Sequence, residues 1–420
     1  MIRELCYDRL GRGLLVGLGL AVLAGADDPK AKPTPPPGEE SALIAQALRE
    51  SWPDHPEWVD MLAAILDDEP MGPNFGWFRA ARTQTRFGWE ATRDRYDKNA
   101  DGTIARSEFP GGDADFARLD RDRDMSLTPA DFDFDASSLA PSPGAMLFSR
   151  LDADGSGKIT REELDALFKA TDSDGRGFLS LDDMKHAFTP PAPRPGANPT
   201  TGMPSKATLV KGLFSQEIGS LEPGPSLDQS APDFSLKTHD GKTEFNLSRN
   251  VGAKPLVLIF GNFTCGPFRS HSGNIEKLYQ RYKDRANFVM VYVREAHPTG
   301  GWRMESNDRV GAIVVQPRTY DERVAVARQC GKLLQFAFPM LVDSIDDAVG
   351  TRYSGMPGRL YLIDSAGKIA FKSGRGPYHF KPAELEQSLV LMLQTDNQKA
   401  TTSRLGTPAK PSRESHASRE

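Results

Sequence analysis

Apolar positions follow different periods in the two halves of the chain. Leu43, Ile44, Ala47 and Leu48, then Trp58, Val59, Leu62, Ile65 and Leu66, recur three and four residues apart, the spacing of one helix face. Residues 41–90 are therefore predicted to be a helical segment that packs against its C-terminal neighbour; no chemistry is visible in it. The second half changes to short, largely apolar runs: Pro255 to Phe260, Phe288 to Val293, Pro339 to Val342, Arg359 to Ile363 and Ile369 to Lys372, the last two joined through Ser365-Ala366-Gly367. Runs of this length without polar alternation read as strands buried on both faces. Helical spacing lies between and after them, at Ile275, Leu278 and Tyr282, over Val324 to Gln329 and over Pro382 to Leu393. The order β-α-β followed by α-β-β-α predicts a three-layer α/β sandwich over residues 227–394.

Polar and Pro-rich stretches divide the rest of the 420 residues, so the fold class is multidomain. Residues 1–26 place Arg3, Arg9 and Arg12 before an apolar run, Leu14 to Leu23, and end on Ala24-Gly25-Ala26, the build of a secretory signal peptide. The run is short for a bilayer span. The chain is accordingly expected to be exported, periplasmic or secreted, with no membrane association beyond the signal. Residues 27–40 read as a flexible spacer, 189–226 as a Pro-rich linker and 395–420 as a disordered tail. Such a linker predicts that the segments on either side unfold independently. The net charge of −5 gives no reason to expect nucleic acid as partner. Its distribution matters more, because Ala91 to Phe188 holds 21 acidic against 13 basic residues.

That acidic segment, 91–188, is periodic. A calcium loop of the EF-hand type needs oxygen ligands at positions 1, 3, 5 and 12, glycine at 6 for a sharp turn and an apolar residue at 8 that bridges to a partner loop. Asp97, Asn99, Asp101, Thr103 and Glu108 satisfy this around Gly102 and Ile104, and Asp152, Asp154, Ser156, Lys158 and Glu163 around Gly157 and Ile159. Two further windows are degraded. Asp120, Asp122 and Asp124 are followed by Met125 where glycine belongs and close on the shorter Asp131; Asp172 and Asp174 are followed by Arg176 at the fifth ligand position and close on Asp183. The segment thus resembles an α-helical EF-hand region with Ca2+ as cofactor. No Met-rich groove accompanies it, which favours structural calcium over a sensor.

Cleavage of the signal would leave Cys265 and Cys330, which could be a structural disulfide, a catalytic pair, or one reactive thiol and a bystander. Cys265 falls between a buried strand and a helix start, where an exposed turn and the helix N-terminus would favour its thiolate. Around it stand Phe260-Gly261 and Thr264-Cys265-Gly266-Pro267-Phe268, then Val291 to His297, Gly301-Trp302, Glu322-Arg323, Asp343, Tyr353, Pro357, Arg359-Leu360-Tyr361, Gly374 and Gly376-Pro377. With these blocks in order, the stretch from about Pro255 to Leu393 resembles the iodothyronine deiodinase family, a thioredoxin-like fold. The resemblance implies reductive removal of iodine from an aromatic ring, with Cys265 attacking the halogen and His297 holding substrate or moving a proton. Glu295 and Arg323 would line the same site, Met356-Pro357 would be the cis-proline of the fold, and the partners would be an external thiol reductant and a small aromatic substrate. Cysteine stands here where the best-known members use selenocysteine, and Phe263 where they carry a nearby second cysteine. Three function classes are open: a thiol-dependent dehalogenase, a general redoxin or thiol peroxidase, and a calcium-dependent binding protein with a catalytically silent redoxin domain.

Overall fold

A computed structural model describes residues 37–52, 54–135, 142–189 and 204–405. The signal, most of the spacer, residues 53 and 136–141, residues 190–203 of the linker and residues 406–420 lie outside the described residues. Among the described residues ten strands run in chain order: β1 (Gln84–Thr85), β2 (Ile104–Ala105), β3 (Ser126–Leu127), β4 (Ser235–Lys237), β5 (Glu244–Asn246), β6 (Leu256–Gly261), β7 (Asn287–Tyr292), β8 (Met340–Val342), β9 (Arg359–Ile363) and β10 (Ile369–Lys372). The main sheet has the order β1-β10-β9-β6-β7-β8. Strands β6, β7 and β8 are parallel, whereas β9 runs antiparallel to β6 and β10 antiparallel to β9.

Every residue of β6, β9 and β10 is buried, as the largely apolar runs require, because helices cover both faces. Helices Ser272–Tyr282, Tyr320–Leu334 and Pro382–Leu405 send Ile275, Leu278, Ala327, Leu334, Leu385 and Leu389 into that core. Tyr320–Leu334 starts on a Thr319/Glu322 capping box and stops at Gln335, in the left-handed conformation. Met356-Pro357 is cis, and so is Gly376-Pro377. The architecture is a helical N-terminal region followed by an α/β thioredoxin-like domain.

Three expectations are corrected. Part of the presumed linker is ordered: helix Lys206–Phe214, capped by Ser205, joins helices Glu57–Leu66 and Gly76–Ala80 in a second core of Met61, Ile65, Trp77, Phe78, Leu209 and Leu213. Flanking prolines and glycines mask its apolar period in the sequence. The last helix runs on to Leu405, into residues read as a tail, since extending a helix already anchored by its buried first turns is easier than starting one. The acidic segment, finally, is not a separate unit. Tyr96, Phe109, Phe116, Leu119 and Leu127 belong to one continuous core with β6 to β10, and Gln394 donates to Asp115 at 2.7 Å.

Candidate active site

Strands β6 and β7 end together, with Gly261 opposite Tyr292. In parallel sheets the crevice beyond such carboxyl ends is where ligands bind. Here the turn Asn262 to Cys265 and the loop Val293 to His297 are laced to each other. The Ala296 N–H donates to Asn262 Oδ1 at 3.2 Å, the His297 N–H to Thr264 Oγ1 at 3.0 Å and the Thr264 N–H to Glu295 Oε2 at 2.9 Å. The Thr264 hydroxyl adds a 2.8 Å bond to the same oxygen, and the Tyr292 hydroxyl, which receives the Phe263 N–H at 3.1 Å, donates to Glu295 Oε1. Glu295 is wholly buried, and burial pushes its carboxyl up, opposed by the Tyr292 and Thr264 donors and the Arg323 charge.

Cys265 differs from expectation. It is the N-cap of the short helix Gly266–Ser270, yet it is 2% exposed. Burial pushes its thiol up to about 11; the Phe268 N–H and the Arg269 charge act the other way, and Glu295 adds to the rise. A helix this short supplies too little dipole to overcome desolvation. His297 is half-buried, with Nδ1 2.9 Å from the Trp302 carbonyl and its ring edge-on to Trp302 at 5.1 Å. A carbonyl can only accept, so Nδ1 carries the proton and Nε2 is the basic nitrogen. Burial holds His297 down at about 4, so the ring is neutral at neutral pH.

Arg323 stands near Glu295 without bonding to it. Its guanidinium grips the loop after β8 through Asp347 Oδ1 at 2.5 Å and the Ser344 carbonyl at 2.6 Å. It is therefore a brace for that loop, not the lining residue expected. Cys330 is fully buried on helix Tyr320–Leu334, and both cysteines are free thiols, which removes the structural-disulfide alternative. Sequence reasoning missed Asn262, Tyr292, Arg269 and Asn307. Tyr292 could have been found from its position three residues before Glu295, and Arg269 from its position one helical turn after Cys265.

The acidic loops sort differently from their sequence quality. Oxygens of Asp120, Asp122 and Asp131 lie within 4.8 Å of one another, and so do those of Asp152, Asp154 and Glu163. The degraded second loop is thus convergent: Met125 takes the left-handed conformation at φ 72 that glycine was expected to supply. In the first loop the β2–β3 bridge pairs Ile104 with Leu127, Glu108 accepts the N–H groups of Lys98, Asn99 and Ala105, and Asp97 Oδ1 is buried without a partner. The fourth loop does not fit a cation. Arg176 fills the space between Asp174 at 2.9 Å and Asp183 at 3.0 Å, so Asp172, Asp174 and Asp183 are removed from the ligand set.

The third loop touches the thiol site. The Ser272 hydroxyl donates to the Ser156 carbonyl and Lys158 Nζ to the Leu334 carbonyl at 2.6 Å. At Gly157, φ +74, a Cβ would strike the Arg269 carbonyl and meet Ser272 Oγ at 2.6 Å, so only glycine permits this approach.

A thioredoxin-like strand order with one thiol at the β6 turn, and no Cys-x-x-Cys, defines a thioredoxin-fold domain. Residues 211–392 match the profile of the iodothyronine deiodinase family. The chain is 29% identical over 167 residues to type I iodothyronine deiodinase of Xenopus laevis, covering 39% of this chain and 63% of that protein. It is 31% identical over 159 residues to thyroxine 5-deiodinase of Homo sapiens, covering 37% and 50%. Among solved structures it is similar to the thioredoxin domain of a thiol-disulfide oxidoreductase from Bacteroides vulgatus, at 16% identity, 41% of this chain, 99% of that one and a TM-score of 0.28. The chain spans between half and just under two thirds of the length of these curated relatives. Its C-terminal region is a deiodinase-like, thioredoxin-fold domain with distant homology to the thyroxine deiodinases.

Proposed function

We propose that this domain is a thiol-dependent reductive dehalogenase of an iodinated aromatic, with Cys265 as its nucleophile. The observation that carries the reading is the convergence of Cys265, Glu295 and His297 at the shared end of β6 and β7, within the region that matches the deiodinase profile. The Cys265 sulfur takes iodine from the ring as S–I while the ring carbon gains a proton. One external thiol then displaces iodide to form a mixed disulfide, and a second thiol releases Cys265 and leaves with the first as a disulfide. His297, neutral at working pH, and Glu295, shifted toward its neutral form, are the groups beside the turn that hold protons in transit.

We further propose an exported protein in which the first three loops hold calcium as a structural ion. The clustered hard oxygens of Asp120, Asp122 and Asp131 and of Asp152, Asp154 and Glu163 support this, as does the orphaned Asp97 oxygen.

Iodide release from an iodothyronine and from a simple iodophenol, with excess dithiothreitol, tests the activity against a Cys265→Ser variant. Cys265-dependent release is expected. No release from either substrate, with rapid oxidation of Cys265 by peroxide, would overturn the dehalogenase in favour of a general thiol peroxidase.

A further inference from the structure

The turn that carries Cys265 also holds a buried cation with no role in the reaction above. Arg269 is 4% exposed, and its N–H donates to the Cys265 carbonyl at 3.1 Å. Its guanidinium folds back over the turn: Nη1 donates to the Phe263 carbonyl and Nη2 to Asn307 Oδ1 at 2.8 Å, while Asn307 donates to the Thr264 carbonyl at 2.8 Å. Nε is buried without a partner, and no carboxylate lies within 4.0 Å of this guanidinium among the described residues. A desolvated guanidinium without an anion is costly to bury, so the site calls for a counter-charge.

Four ionisable groups interact electrostatically with it, in descending order Cys265, Cys330, Glu295 and Asp152. Glu295 is engaged by Tyr292 and Thr264, and burial favours its neutral form. Asp152 receives the Gly157 N–H within its own loop at 3.0 Å. Cys330 is sealed in the core of helix Tyr320–Leu334. Cys265 remains, on the same turn that the guanidinium embraces.

We propose that Arg269 is the counter-charge of the Cys265 thiolate, stabilising the anionic sulfur and setting how readily it attacks. The proposal rests on the reading of Cys265 as the reactive thiol. Only the S–H bond is broken in forming the anion, its proton leaves to solvent, and nothing is oxidised. Arg269 is also the cation that draws the Cys265 proton off against the desolvation that retains it. Acting through the Cys265 sulfur, Arg269 is a positioning and charge-supplying residue.

The test is the pH dependence of iodoacetamide alkylation of Cys265 in the full chain, read by peptide mass spectrometry. Arg269→Gln removes the charge and keeps a shorter amide donor; Arg269→Lys keeps the charge and loses the fork. With Gln the midpoint is expected to rise by about one pH unit and the neutral-pH rate to fall about tenfold, with Lys restoring most of both. If Gln fails to fold by circular dichroism, Arg269→Met, which leaves no polar group of its own to satisfy, replaces it. An unmoved midpoint in the uncharged variant, or Lys and Gln shifted alike, overturns the proposal and leaves the reactive thiol standing. A wild-type Cys265 that resists alkylation throughout, while the unfolded chain reacts, removes both.

Discussion

His297 illustrates how a residue's surroundings change what its identity promises. An exposed histidine would titrate near 6.5, whereas burial against Trp302 holds this one at about 4. The unfolded chain therefore binds the extra proton between those values, and stability falls as pH drops from about 6.5 to about 4, by up to about 3 kcal/mol. Asp343, pushed up to about 6 by burial and by Asp347, works in the opposite direction, gaining stability as it protonates. The difference between wild type and His297→Gln isolates the histidine. Urea melts from pH 7 to 4 are expected to show the variant losing less stability on acidification; parallel curves would contradict the buried, neutral ring. Much at this scale is legible in the sequence, since Cys265, Glu295 and His297 converge on one turn. Their protonation is not, because desolvation is set by neighbours that a local motif does not contain: Tyr292 and Thr264 around Glu295, and the whole core around Cys265.

Among the elements, the third acidic loop binds two parts of the molecule together. Gly157 serves the loop's turn and the close approach to Arg269 and Ser272 at once. Gly157→Ala must adopt a left-handed backbone and displace a carbonyl, so a loss of about 3 kcal/mol is expected in chemical denaturation; under about 1 kcal/mol would show that the loop does not dock as described. Strand positions are readable because β6, β7, β9 and β10 are largely apolar and their periods are unambiguous. Helix Lys206–Phe214 is not, since nine residues between proline-rich flanks give too little period to distinguish from a linker. The four loops likewise differ in ways that spacing hides: Met125 adopts the glycine conformation, whereas Arg176 occupies its own site.

For the whole molecule, a shared core means shared unfolding. Tyr96, Phe116 and Leu127 pack in the same cluster as Phe260 and Leu391, while Glu57 pairs with the buried Arg375 at 2.8 Å. Calcium is therefore expected to raise a single calorimetric transition, each occupied loop adding about 2.7 kcal/mol of stability at a hundredfold excess over its Kd, and Glu163→Gln to reduce that shift. Two transitions of which only one responds to calcium would contradict the continuous core. The segment from Pro37 to Thr85 is legible as helical but not as a partner of the sheet, because β1 is too short to carry a period of its own. The most direct measurement of the proposed chemistry is a single turnover without external thiol. Full-length protein mixed with an iodinated phenol is expected to yield about one equivalent of dehalogenated phenol per chain, with Cys265 modified and no yield from Cys265→Ser; undiminished product from that variant, or none from wild type while its thiol remains reduced, would contradict it.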